Sequence, residues 1–231
     1  VLPQGGQSID MQEVMEFDIT VPKAGDYAIA LTYTLPKAAV LDNTITVTQL
    51  SAEGESLQSV RAEVYSLWQD ETKDYALDRY GNEVSPAQLS LSESVTDYVR
   101  NFSGADGSPA VFHFSEGEQK LSILANDGEV LLQKLQVVQL PQILTYEAYK
   151  SQYSAELYSG APIVIEGEDY ALKNDSAIRS KADNSAAVTP YHPYYKWMAT
   201  VDGNSWKTVG QRVVWNFSVP EDGWYQPVFH Y

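Results

Sequence analysis

The sequence predicts an all-β protein: a jelly-roll-like antiparallel β-sandwich with a helical insertion and a connector helix, followed by a partial second copy. Three observations carry this expectation. Apolar and polar residues alternate over several short runs, which is the period of a half-buried strand. Gly, Asp, Asn and Pro separate those runs at the intervals of a sandwich. One strand-turn-strand pattern also occurs twice: Val21, Pro22, Gly25, Tyr27 and Tyr33 return 198 positions later as Val219, Pro220, Gly223, Tyr225 and Tyr231.

The first copy of that unit spans Phe17 to Tyr33, FDITVPKAGDYAIALTY. Proline ends its first strand without needing a ladder donor, and glycine supplies the flexible turn position. Further strands are expected at Thr44 to Leu50, Ala110 to Phe114, Gln119 to Ala125 and Val130 to Leu140, each β-rich and bounded by turn residues. Between them, Ser92 to Phe102 places Val95, Tyr98, Val99 and Phe102 at helical spacing behind a serine cap, so a helix is expected there. A second helix is expected over Thr145 to Leu157, with Tyr146, Tyr149, Tyr153 and Leu157 on one stripe behind a threonine cap. Ser159, Gly160, Ala161 and Pro162 read as a linker, and Ile163 to Ile165 as the start of a new strand. The second copy of the repeat then runs from Trp215 to Tyr231.

These elements divide the chain into a sandwich over 1–143, a connector over 144–162 and the opening of a second module over 163–231. The two copies are cut differently, so the first lacks opening strands and would expose unpaired edges. The strands around Ile163 to Tyr170 are therefore expected to complete the first sandwich, within one chain or as a strand-swapped homodimer.

The chain carries 15 Lys+Arg against 31 Asp+Glu, a formal charge of −16. That balance argues against nucleic acid and anionic membrane surfaces as partners, because both attract basic patches. The longest apolar run, Glu129 to Leu140, is short and interrupted by Gln133, Lys134 and Gln136, so no membrane insertion is expected. The absence of cysteine removes disulfides, thiolate metal sites and cysteine nucleophiles together. No signature of a hydrolase, a metalloprotease, a nucleotide-binding loop or an EF-hand occurs. The three histidines, His113, His192 and His230, are far apart in sequence and read as structural residues, so no catalytic residue is assigned.

The strings IVIEGEDY, TPYHPYYKW and DGNSWKTVGQRVVWNFSVPEDGWY, together with LDRYGNEVSPAQ and SPAVFHFSEGEQKLSILANDGEVLLQKLQVV, resemble one module type. They are similar to the galactose-binding-like, carbohydrate-binding-module-like β-sandwiches in the N-terminal region of large extracellular solute-binding proteins of Gram-positive bacteria. The resemblance implies an extracellular, cell-surface, non-catalytic module. Its function would be glycan recognition or, alternatively, that of a structural or protein-interaction spacer without a small ligand. It also implies that Glu166 and Glu168, a Glu-x-Glu pair, contribute to a structural calcium site; the competing explanation is two solvated acids.

Sugars are recognised by aromatic platforms beside amides and carboxylates, since a pyranose has one apolar face and a rim of hydroxyls. The candidates are Tyr191, Tyr194, Tyr195, Trp197 and Trp206 near Asn204, and Tyr65, Trp68, Tyr75 and Tyr80 near Asp78 and Asn82. Trp206 leads this set because it sits in a Gly/Asn/Ser loop; for each ring the alternative is ordinary core or loop packing.

Overall fold

The structure, a computed structural model, describes residues 7–10, 12–36, 43–101, 107–140, 144–153, 156–201 and 204–230. The strands of the first half are β1 (Gln7–Ile9), β2 (Val14–Val21), β3 (Gly25–Thr34), β4 (Asn43–Leu50), β5 (Ser56–Val64), β6 (Leu67–Asp70), β7 (Ala76–Leu77), β8 (Glu83–Val84) and β9 (Gln88–Leu91). They continue as β10 (Val95–Tyr98), β11 (Phe112–Phe114), β12 (Gly117–Ala125) and β13 (Val130–Gln139). After the helix α1 (Tyr146–Gln152) come β14 (Leu172–Lys173), β15 (Ser180–Asp183), β16 (Trp197–Val201) and β17 (Val213–Val214).

Two antiparallel sheets share one core. The first has the order β1-β13-β3-β10, with β11 also on β3, and the second has the order β2-β12-β4-β5. Alternation along β3 turns Tyr27, Ile29, Leu31 and Tyr33 inward, where they join Leu132 of β13. Ile45 and Val47 of β4, Val60 and Ala62 of β5, and Leu121 and Ile123 of β12 belong to the same cluster, so the sheets cover each other's apolar faces. Each such aliphatic side chain, buried essentially completely, contributes about 1.5–3 kcal/mol. The chain is therefore all-β with a sandwich-like arrangement of antiparallel sheets, as expected.

The helical insertion is not present: the expected helix at Ser92 to Phe102 is a strand. Val95 to Tyr98 form β10, paired with Tyr33 to Ala30 of β3, and the Val99 amide extends the ladder to the Ile29 carbonyl at 2.8 Å. Val95, Asp97 and Val99 face inward while Thr96 and Tyr98 face out, so the true period is two. Phe102 lies outside the described residues. The inward charge on Asp97 disguises the alternation. Burial raises its carboxyl, but the Tyr65 hydroxyl and the guanidinium groups of Arg100 and Arg212 more than offset this and hold it below the usual carboxylate range. Arg212 reaches Asp97 at 2.7 Å from the far end of the chain.

The second expected helix is real but shorter. Thr145 caps α1 by accepting from the Ala148 amide, and the helix stops at Gln152, before the expected Leu157. A helix of this length is marginal alone. Its Tyr149, together with Tyr153 just beyond its end, packs edge-on against Trp224 at centroid distances of 5.9 and 6.1 Å.

Trp224 lies in the second copy of the repeat, and one detail of the first copy recurs there. The Tyr27 hydroxyl donates to the Lys23 carbonyl at 2.7 Å, and the Tyr225 hydroxyl donates to the Glu221 carbonyl at 2.8 Å. The flanking segments differ. Val21 and Leu31 are buried between strands supplied by β12 and β13, whereas Val219 is 47% and Phe229 81% exposed, and residues 215–230 contain no strand. Tyr231 lies outside the described residues.

Ile163 to Ile165 form no strand and are exposed, so these residues do not complete the first sandwich within the chain. The link is made further along: Lys173 of β14 pairs with Trp68 of β6, giving a separate sheet of order β17-β14-β6-β9. This pairing, and the bond from Arg212 to Asp97, tie the 163–231 region to the 1–143 region within one chain.

Candidate functional site

The turn at 78–82 is built around Asp78. Its carboxylate accepts from the amides of Tyr80 at 2.7 Å and Asn82 at 2.9 Å and from the Asn82 side-chain amide at 3.0 Å. These bonds, the Asn82 side chain first, hold the Asp78 carboxyl below its ordinary value. The turn then docks onto the segment leading into β16. The Asn82 side-chain oxygen accepts from the Lys196 amide at 3.0 Å, the Glu83 amide donates to the Lys196 carbonyl at 2.9 Å, and the Glu83 carboxylate accepts from the Met198 amide at 2.6 Å.

His192 organises the other side. Its Nδ1 accepts from the amides of both Tyr194 and Tyr195, at 3.1 and 3.0 Å. The imidazole stacks on the Tyr195 ring at 4.7 Å and lies 4.9 Å from the Trp197 ring. Tyr195 in turn covers Gly81, so closely that a Cβ there would stand 2.9 Å from the ring. Tyr80, Tyr191, Tyr194 and Tyr195 of these two docked segments are all exposed, Tyr194 by 80%. Trp197 is half-buried.

Gly81 also has φ +87°, in the left-handed region. Gly81→Ala meets both constraints at once and is expected to cost about 1–3 kcal/mol, measured as a lowered denaturation midpoint. An unchanged midpoint would show that the turn and the Tyr195 ring do not depend on each other.

The remaining candidates lie elsewhere. Trp206, 39% exposed, is 6.0 Å from Trp215, and its indole N–H donates to the Gln211 carbonyl at 3.5 Å. Gln211 holds this loop by accepting from the amides of Lys207 and Thr208, both at 2.8 Å. Asn204 belongs to the same loop. Trp68 is buried in β6 and serves packing. Tyr65 spends its hydroxyl on Asp97 at 2.9 Å, and burial pushes the Tyr75 hydroxyl up to about 12. Sequence reasoning thus found the rings of the platform but ranked Trp206 above them. It passed over Arg79 and Lys196, which flank the rings and carry no motif.

Glu166 and Glu168 lie at a buried polar cluster rather than on a strand. Glu166 caps a 3-10 turn over Gly167–Asp169, in which Glu168 is buried. Burial, with the charges of Glu166 and Asp169, pushes the Glu168 carboxyl up to about 7. The Lys73 ammonium donates to the Glu168 carbonyl at 2.6 Å and to the Asp70 carboxylate at 3.1 Å, and sits 4.3 Å from the Tyr170 ring centre. Asp70 also accepts from Tyr170 and Gln88, each at 2.7 Å, and lies 3.8 Å from the buried Lys173 ammonium. A calcium site needs six or more oxygen ligands around one point. Here an ammonium already bonds the Glu168 carbonyl, and among the described residues no three acidic or histidine side chains converge as metal ligands.

No protein-family model and no curated protein matches this chain.

Proposed function

We propose that this chain is a non-catalytic, extracellular binding module of a cell-surface solute-binding protein, and that it recognises carbohydrate on the tyrosine platform. In this reading the sandwich is jelly-roll-like, and residues 163–231 are the opening part of a second copy of it. One observation carries the functional part: two segments whose contacting residues, Asn82 and Lys196, are 114 positions apart in sequence are hydrogen-bonded together, which sets the exposed Tyr195 ring against Gly81, next to the exposed Tyr80. Exposed rings held by a fixed backbone suit the apolar face of a pyranose and cost little ordering on binding.

The test is a glycan-array or affinity-electrophoresis screen of the wild type with Tyr194→Ala and Trp206→Ala. Tyr194→Ala is expected to weaken binding about tenfold or more, a loss of about 1.4 kcal/mol, and Trp206→Ala to leave it unchanged. Failure of folded wild-type protein to bind any glycan would favour the spacer reading. That alternative draws on the ties between the two regions, the β6–β14 pairing and the bond from Arg212 to Asp97, which hold the chain as a stiff unit without any ligand.

A further inference from the structure

The polar groups beside the platform are not equally available to a ligand. Asp78 is committed to two amides of its own turn and to the side chain of Asn82. Asn82 in turn uses its side-chain oxygen on the Lys196 amide and its NH2 on Asp78. Glu83 accepts from the Met198 amide, and Asp183, opposite Trp197 in the β15–β16 pair, accepts from the Ser185 amide at 2.8 Å. Each acid and amide named here makes at least one bond that holds the local backbone in place, and the acids can only accept.

The cations are less committed. Arg79 and Lys196 are exposed, and neither forms an ion pair with a described carboxylate. The Arg79 guanidinium lies 4.6 Å from the Tyr80 ring centre and donates to the Tyr80 hydroxyl, which leaves other N–H groups of its fork unused. Lys196 directly follows Tyr195, and Lys181 stands near it, both close enough to Asp183 to hold that carboxyl below its ordinary value after the bond from Ser185. Arg79, Lys181 and Lys196 thus bring positive charge to the neighbourhood of the rings on a chain of −16. Charges beyond about 8 Å are largely screened at physiological ionic strength, so the acidic remainder acts weakly there.

The geometry points to a saccharide bearing an anionic group, carboxylate or phosphate, as the ligand class of this platform. The sugar face lies on the tyrosine rings, and the anion meets the Arg79 fork or the Lys196 ammonium, in the charge-assisted geometry that guanidinium offers to carboxylate and phosphate. This rests on the carbohydrate reading above and names its substrate class.

Two matched pairs of probes test it by calorimetric or NMR titration: oligogalacturonate against its fully methyl-esterified form, and mannose 6-phosphate against mannose. The charged member of at least one pair is expected to bind about tenfold or more tighter, by a margin that shrinks as salt is added. The pair showing that margin identifies the anionic group. Arg79→Gln and Lys196→Gln are expected to reduce the ratio between charged and neutral member several-fold. Both residues are exposed and unpaired with acids, and thermal denaturation checks that the variants fold. Equal or tighter binding of the neutral members overturns the inference and leaves the carbohydrate reading standing. If no member of either pair binds but a neutral glycan does in the array, the inference also fails alone. If no glycan binds at all, both fail.

Discussion

Replacing Asp70 with alanine is expected to lower the free energy of unfolding by about 3–5 kcal/mol, the loss that follows when one partner of a buried charged network is removed. The Asp70 side chain is fully buried at the end of β6, and four groups converge on it: Lys73 from the same turn, Gln88, and Tyr170 and Lys173 from the 163–231 region. Burial alone raises its carboxyl, but the bonds from Tyr170, Gln88 and Lys73 outweigh this and hold it below its ordinary value. In the alanine variant the Lys173 ammonium remains buried, with the Tyr170 hydroxyl and the Ile178 carbonyl as its hydrogen-bond partners and without its ion-pair carboxylate. Asp70→Asn separates the contributions. It keeps the oxygen that accepts from Tyr170 and Gln88 but removes the charge and replaces the oxygen that accepts from Lys73 with an NH2, so its loss should fall between wild type and alanine. Lys73→Ala should cost about 1 kcal/mol or less, since that side chain is 41% exposed and its ion pair is screened by solvent. The measurement is denaturant unfolding with the slope held in view. If Asp70→Ala unfolds within about 0.5 kcal/mol of wild type, the cluster does not join β6 to the 163–231 region energetically.

That cluster also marks where the sequence stops being readable. β2 and β3 are legible because every inward position of Phe17 to Tyr33 is apolar and the turn carries Pro22 and Gly25. The same pattern at Trp215 to Tyr231 leads to a strand assignment that the structure does not make, because a strand needs a partner's backbone, and β12 and β13 serve only the first copy. In β10, Asp97 at an inward position broke the apolar alternation, and the helical spacing of Val95, Tyr98 and Val99 became the stronger signal. Its charge is offset inside by Arg100 nearby but also by Tyr65 and by Arg212, which arrives from 115 positions away, and no local window contains these last two. The platform was half legible. Tyrosine-rich strings announce exposed rings, but the choice between Trp206 and Tyr194 depends on which loop docks on Gly81, a contact made across the chain.

Stability should pass through a minimum between about pH 7 and 8 on account of two buried groups with opposite slopes. Glu168 titrates near 4.5 when unperturbed and is pushed up to about 7 in the fold, so between these values the folded chain binds more protons than the unfolded chain. Stability falls with rising pH wherever the folded state holds the extra proton, here by up to about 3 kcal/mol across that window. Lys173 behaves in the opposite sense. Burial lowers its ammonium from 10.5 to about 8, so between 8 and 10.5 the unfolded chain holds more protons and stability rises with pH. Below pH 8 the full cost of the buried ammonium is present, and above 10.5 it is gone. Because 31 acidic residues add their own titrations at lower pH, the assignment comes from variants rather than from the wild-type curve alone. Glu168→Gln should remove the falling limb between pH 4.5 and 7 and leave the rising one. Lys173→Met should flatten the rising limb and leave the falling one. Unfolding free energies collected from pH 4 to 10 for the three proteins decide the matter: parallel curves would show that neither group titrates inside the folded structure.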